Sequence, residues 1–143
     1  MTINLKSLTA IATLALASLA PAHAADDATY RGLGGERGIK AIVATLIPLI
    51  QADPRIKESF TDSDMKHLAM RLEEQFCMLS GGPCVYKGEE MKEVHAGLKV
   101  TNAQFNALAE DLQIAMERNS VPSHVQNKLV AKLAPMQRAI VTK

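Results

Sequence analysis

The sequence predicts an all-α fold, and three observations lead to it. Apolar residues recur at intervals of three and four through most of the chain. No segment sustains the alternation in steps of two that marks a half-buried strand. Leu, Ile, Ala and Met are plentiful while aromatic residues make up only 3 % and Trp is absent, a mix that suits helices better than a sheet.

Ile39, Ile42, Val43, Leu46 and Ile50 fall on one face of a helix that should end near Asp53-Pro54. Pro48 lies inside this pattern and should kink the helix or thin its hydrogen bonding. A turn around Phe60 follows, and Thr61-Asp62-Ser63 offers caps for the next helix. That helix carries Met65, Leu68, Leu72, Phe76 and Leu79 on one face and stops at Gly81-Gly82-Pro83. Cys84 to Glu90 reads as a loop, after which Met91, Val94 and Leu98 mark a brief helix bearing His95. Thr101-x-x-Gln104 has the form of a capping box and opens a helix with Phe105, Leu108, Leu112 and Met116 inward. Ser123-x-x-Gln126 repeats that form before a last helix with Val125, Leu129, Leu133, Met136 and Ile140 inward, interrupted by Pro135.

The first 24 residues are set apart from this pattern. Lys6 supplies a positive start, Leu8 to Leu19 form a short apolar run, and Ala22-His23-Ala24 places small residues at a cleavage site. The run is shorter than the ~20 residues that span a bilayer and Pro21 ends it, so a secretory signal peptide is expected over 1–24, with an uncleaved anchor as the alternative. The chain of 143 residues less these 24 leaves 119, the size of one domain, 25–143, in a periplasmic or secreted protein. A net charge of +1 gives no electrostatic case for nucleic acid or for an anionic membrane surface. Cys77 and Cys84 have six residues between them; in an oxidising compartment a disulfide competes with two free thiols or a redox pair. Their spacing fits neither CxxC nor the CxxCH of covalent haem attachment.

Three histidines follow the leader: His67, His95 and His124. His95 stands out because Met91 and Val94 precede it on a short helix after a glycine-rich loop, an arrangement that can offer one neutral imidazole to a metal in apolar surroundings. His124, near a helix start, reads as surface.

Five segments resemble the group I truncated haemoglobins. Tyr30-Arg31-Gly32-Leu33-Gly34-Gly35-Glu36 is similar to the family's start, and Ala52-Asp53-Pro54-Arg55 followed by Phe60 to its second helix. Gly81 to Gly88 resembles the family's GGPxxYxG loop, Met91 to Leu98 its proximal-histidine segment, and Ala134-Pro135 a pair in its final helix. The resemblance runs from Tyr30 to Val141 in the family's order and spacing. It implies a two-over-two helical sandwich around one b-type haem, with His95 as the iron ligand and Phe60 stacked on the porphyrin. In the same register Phe76, Met91 and Leu98 join the cofactor contacts, and Arg71 stands where the family often has a basic residue near a haem propionate, with an arginine that swings inward to a ligand and a plain solvated arginine as the alternatives.

The distal side departs from the family. Ile47 occupies the position of the usual tyrosine, and Leu68 and Leu72 occupy the distal-helix positions that face the iron. None of the three donates a hydrogen bond. Donors stabilise bound O₂, which gains partial negative charge, by ~1–3 kcal/mol each in a dry pocket, whereas CO and NO benefit less. His67 lies about 100° round the helix from this face, Met65 reads as a core contact and Met70 as peripheral, so an open or water-filled sixth site is expected. The resemblance thus implies an exported haem protein that binds a diatomic gas, O₂, NO or CO. The competing readings are a redox enzyme acting on NO, O₂ or nitrogen oxides with a redox partner protein, a six-coordinate electron-transfer protein, and a globin-fold binding module without haem.

Overall fold

The computed structural model describes residues Asp27–Lys143, and the expected leader, 1–24, lies outside the described residues. The elements in order are α1 (Ala28–Gly32), α2 (Gly35–Ala52), a 3₁₀ turn (Lys57–Phe60), α3 (Met65–Leu79), α4 (Met91–Val94), α5 (Asn102–Arg118), α6 (Ser123–Leu133), a second 3₁₀ turn (Ala134–Met136) and α7 (Gln137–Ile140). No strand occurs among the described residues, as the periodicity predicts.

α2 is the central element because its apolar face is the most complete. Ile39, Ile42, Val43, Leu46 and Ile50 are all buried, and α2 packs on both α3 and α5. α5 also packs on α6, and α6 on α3, which gives the two-over-two pairing. The short α1 seats against α2 and α6, while α4 rests on α7. Pro48 leaves α2 continuous. It is exposed, as is Ala44 one turn earlier, so the carbonyl that loses its amide partner faces water.

Helix starts differ from expectation in two places. The cap of α3 is Asp64, not a residue of Thr61-Asp62-Ser63; its Oδ1 accepts from the backbone N–H of Lys66 and of His67, both at 3.0 Å. Those amides also hold the Asp64 carboxyl below the usual range, His67 foremost. At α6 the N-cap is Pro122 and Ser123 makes no capping bond; Gln126 instead donates to the Val121 carbonyl at 2.8 Å. The Thr101–Gln104 capping box forms as expected, and Pro135 breaks the last helix into a 3₁₀ turn and α7.

Among buried polar side chains, Ser80 and Gln126 have oxygen acceptors. Asp111 Oδ2 receives no hydrogen bond from any donor, and burial, followed by the nearby Asp53 charge, pushes its carboxyl up. Gln75, 7 % exposed, donates only to the sulfurs of Met91 and Met136.

Cys77 and Cys84 are joined by a disulfide, which resolves the alternatives their spacing leaves open. It pins the end of α3 to the following loop. Gly82 lies beneath it, where a Cβ would come within 2.6 Å of both Cys77 Sγ and the Tyr30 ring, so only glycine fits the turn. Closing so short a loop should contribute about 2–3 kcal/mol through the unfolded chain. The double variant Cys77→Ser/Cys84→Ser should therefore lose stability of that size in urea unfolding, and a reductant should lower the midpoint of the parent protein but not of the variant.

Candidate functional site

A cavity of about 690 Å³ opens between α3, the first 3₁₀ turn, the loop at 86–89, α4, α5 and α7. It falls in the range of cofactor-sized clefts, ~300–1,000 Å³. Phe60 and Ile56 form one wall with Leu68 and Arg71 of α3, and Met91, Val94, His95 and Leu98 form another. Phe105 and Leu108 of α5 with Ile140 of α7 close the inner side. Behind it a smaller cavity of about 110 Å³ shares Met91, His95, Phe105, Leu108 and Ile140 and reaches Leu46, Gln75 and Phe76. The two are successive parts of one cleft.

Of the nine residues singled out in the sequence, six line the larger cavity: Phe60, Leu68, Arg71, Met91, His95 and Leu98. Phe76 lines the smaller one together with His95. Ile47 and Leu72 are half-buried against the core and line neither. Met65 likewise packs on the core and Met70 is exposed. His67 sits exposed on the cavity rim, and His124 is exposed.

His95 is held in a defined state. It is the residue that ends α4, half-buried, and its Nδ1 lies 2.8 Å from the Met91 carbonyl oxygen. A carbonyl only accepts, so Nδ1–H donates, and in the neutral imidazole the lone pair is then on Nε2. This is the arrangement by which a backbone carbonyl orients a metal-ligating imidazole. No group of three or more His, Cys, Asp or Glu able to hold a metal ion occurs among the described residues. A metal at His95 therefore needs its remaining ligands from a cofactor. The lining suits one that is flat and apolar with acidic tails. Val94 and Leu98, 45 % and 55 % exposed, present apolar surface at the mouth that such a ring would cover.

The polar rim is built on α3. Arg71 pairs with Glu74 at 2.6 Å and donates through Nε toward His67 Nε2 at 3.4 Å. The same Glu74 oxygen accepts the backbone N–H of Lys87 at 3.0 Å. The Lys87 amide, followed by the Arg71 guanidinium, holds the Glu74 carboxyl below the usual range. This fixes the loop so that Lys87 and Tyr86 reach the cavity; burial pushes the Tyr86 phenol up. The Tyr86 ring folds over Gly88, where any Cβ would overlap its hydroxyl. Glu89 and Glu93 also stand on the rim.

Sequence reasoning did not single out Gln75, Tyr86, Lys87, Gln104 or Val100 as site residues, and it placed Phe105, Leu108 and Ile140 only as inward-facing. The available signal for Gln75 was its spacing: it lies seven residues after Leu68 and so on the same helical face.

The chain matches the family model described as bacterial-like globin over residues 28–142. It is 36 % identical over 99 residues to the group 1 truncated haemoglobin of Tetrahymena pyriformis, covering 69 % of this chain and 82 % of that protein. To a group 1 truncated haemoglobin of Mycolicibacterium paratuberculosis it is 30 % identical over 113 residues, covering 79 % of this chain and 83 % of the relative. The crystal structure of the Tetrahymena pyriformis truncated haemoglobin in the Fe(III) form superposes with a TM-score of 0.77 at 32 % identity, over 80 % of this chain and 98 % of that one.

Glu74 gives the site a pH signature. Its carboxyl is depressed in the folded chain, so its stabilising contribution is complete above its ordinary value of 4.5 and fades as pH falls through the lowered folded value. Glu74→Gln should remove that acid-side loss of stability while leaving the Lys87 amide weakly held at all pH. The check is hydrogen exchange: the Lys87 amide should exchange several-fold faster in the variant at pH 7, and equal rates would show that Glu74 does not fix the loop.

Proposed function

The chain belongs to the bacterial-like globin family as a group 1 truncated haemoglobin, and on that footing we propose that it is an exported protein binding a diatomic gas at a b-type haem ligated by His95. The observation that carries this reading is the 2.8 Å contact of His95 Nδ1 with the Met91 carbonyl, which leaves Nε2 free in the wall of a haem-sized cleft. When bound, the haem supplies an iron that takes up O₂, NO or CO. Everything else is the work of the chain. His95 Nε2 would give its lone pair to the iron, and the Met91 carbonyl would keep the ring in the tautomer that can do so. Phe60, Leu68, Phe105 and Leu108 line an apolar interior that excludes water from the ring faces. Arg71 and Lys87 place positive charge at the mouth, where acidic tails would lie. Neither cysteine is available for covalent attachment, which supports a non-covalent b-type haem.

Leu68, Phe60 and Ile56 offer no donor to a polar ligand, and the donor on their wall, Arg71, is paired with Glu74. This favours NO and CO over O₂ by about tenfold for each ~1.4 kcal/mol of missing hydrogen bonding. Leu68, Phe60 and Ile56 carry no acid or base for cleaving peroxide, and the neighbouring His67 is exposed on the rim, which supports gas binding over peroxidase chemistry.

His95→Gly should weaken haem uptake by at least about tenfold, judged by the ~10–100-fold cost of disturbing even outer-shell partners of a metal ligand. Added imidazole should restore the absorption spectrum of the parent. If the variant takes up haem with an unchanged spectrum, His95 is not the ligand. Export is supported by the leader composition and by a disulfide suited to an oxidising compartment. Expressed with its own N-terminus in a Gram-negative host, the protein should be recovered from the periplasm with the intact mass of a chain starting at Ala25; a full-length cytoplasmic product would overturn export.

A further inference from the structure

We infer that Gln75 supplies the hydrogen-bond donor of the gas pocket, at its inner end. This deepens the gas-binding reading and rests on it. Leu68, Arg71 and Gln75 lie on one face of α3 at spacings of three, four and seven, and all three line the cleft. Leu68 and Arg71 face the larger cavity, and Gln75 faces the smaller one that also contains His95. Gln75 is therefore the next polar group inward on the wall that approaches the cleft from α3, whereas His95 approaches it from the end of α4.

The bonding state of Gln75 points to the same role. The residue is only 7 % exposed, and its Nε2 reaches Met91 Sδ at 3.5 Å and Met136 Sδ at 3.8 Å with no oxygen or nitrogen acceptor. Thioether sulfur is a weak acceptor, so the amide loses little by turning to a better one. Both sulfurs line the smaller cavity, and the unbranched Met side chains can yield without disturbing a helix. A small, partly anionic ligand inside the cleft is an acceptor of the required kind. A purely structural glutamine would instead be expected to bond a backbone carbonyl, as the other buried glutamine, Gln126, does with Val121.

The consequence is a donor at the buried end of the pocket. It lies deeper in the fold than positions 47, 68 and 72, where the family resemblance leads one to look.

The test uses the haem-loaded full chain with carbon monoxide as a vibrational probe. A donor to bound CO lowers its C–O stretching frequency. The parent should show a lowered band that shifts measurably in D₂O, and Gln75→Met, which keeps the volume but cannot donate, should move the band to higher wavenumber and abolish the D₂O effect. O₂ should leave the variant about tenfold faster, the factor expected for one lost hydrogen bond. Gln75→Leu provides a second non-donor, and the D₂O measurement on the parent needs no variant at all. If the band and the O₂ release rate are the same in parent and variants, and D₂O has no effect, Gln75 is not the donor although haem and gas binding stand. If the parent takes up no haem, both readings fall together.

Discussion

Five aliphatic side chains on one face of α2, from Ile39 to Ile50, are each no more than 1 % exposed, and the rest of the molecule is arranged around them. Burying such a side chain contributes about 1.5–3 kcal/mol, so this face is the largest single source of cohesion in the chain. It has a geometric consequence as well. α2 packs on α3 and α5 at once, and those helices carry the cleft residues Leu68, Arg71 and Gln75 on one and Phe105 and Leu108 on the other. The core thus fixes two sides of the cleft without filling it. That division explains why Ile47 is half-buried against the core: it belongs to the supporting helix, one layer behind the residues that line the cleft.

α4 cannot be held in the same way. It has one turn, buries no residue and ends at His95 in a segment with left-handed backbone at Gly97 and Lys99. So short a helix has no stability of its own. Its orientation depends on packing against α7 and on the internal bond from His95 to the Met91 carbonyl. Pro135 is relevant for this reason. By breaking the last helix it frees α7 to turn onto α4, and Ile140 of α7 reaches the cleft.

The elements were legible in the sequence wherever apolar spacing and short-range caps control them. The α2 face and the Thr101–Gln104 box read directly, because each rests on contacts within one helix. The cap of α3 was misplaced by one residue or more because Thr61, Asp62, Ser63 and Asp64 all have capping side chains, and only the path out of the first 3₁₀ turn selects Asp64. Ser123 failed as a cap because Pro122 occupies the N-cap and Gln126 turns to Val121. In the site, His95 and Phe60 were accessible through motif order. Gln75 was not, since a periodicity built from apolar residues passes over a polar one on the same face. Tyr86 and Lys87 were hidden for another reason: Glu74, 13 residues earlier, positions them, and no local pattern encodes that pairing.

That pairing belongs to a larger arrangement. Along α3, Glu74 and Cys77 are three residues apart; in the loop, their partners Lys87 and Cys84 are also three apart, in reverse order. Just before the disulfide the Gly82 amide bonds the Cys77 carbonyl at 2.8 Å. The loop is therefore laced back along the outside of α3 by a charge-assisted bond, a covalent bond and a backbone bond. Only three residues separate the last of these anchors, Lys87, from the start of α4. A rigid connection of that length limits how far His95 can move from Leu68 and Gln75, the two faces between which a flat cofactor must fit. That separation is thus set from outside the cleft, by polar and covalent ties. A pocket built this way needs little core packing on the α4 side, which accounts for a helix of one turn there.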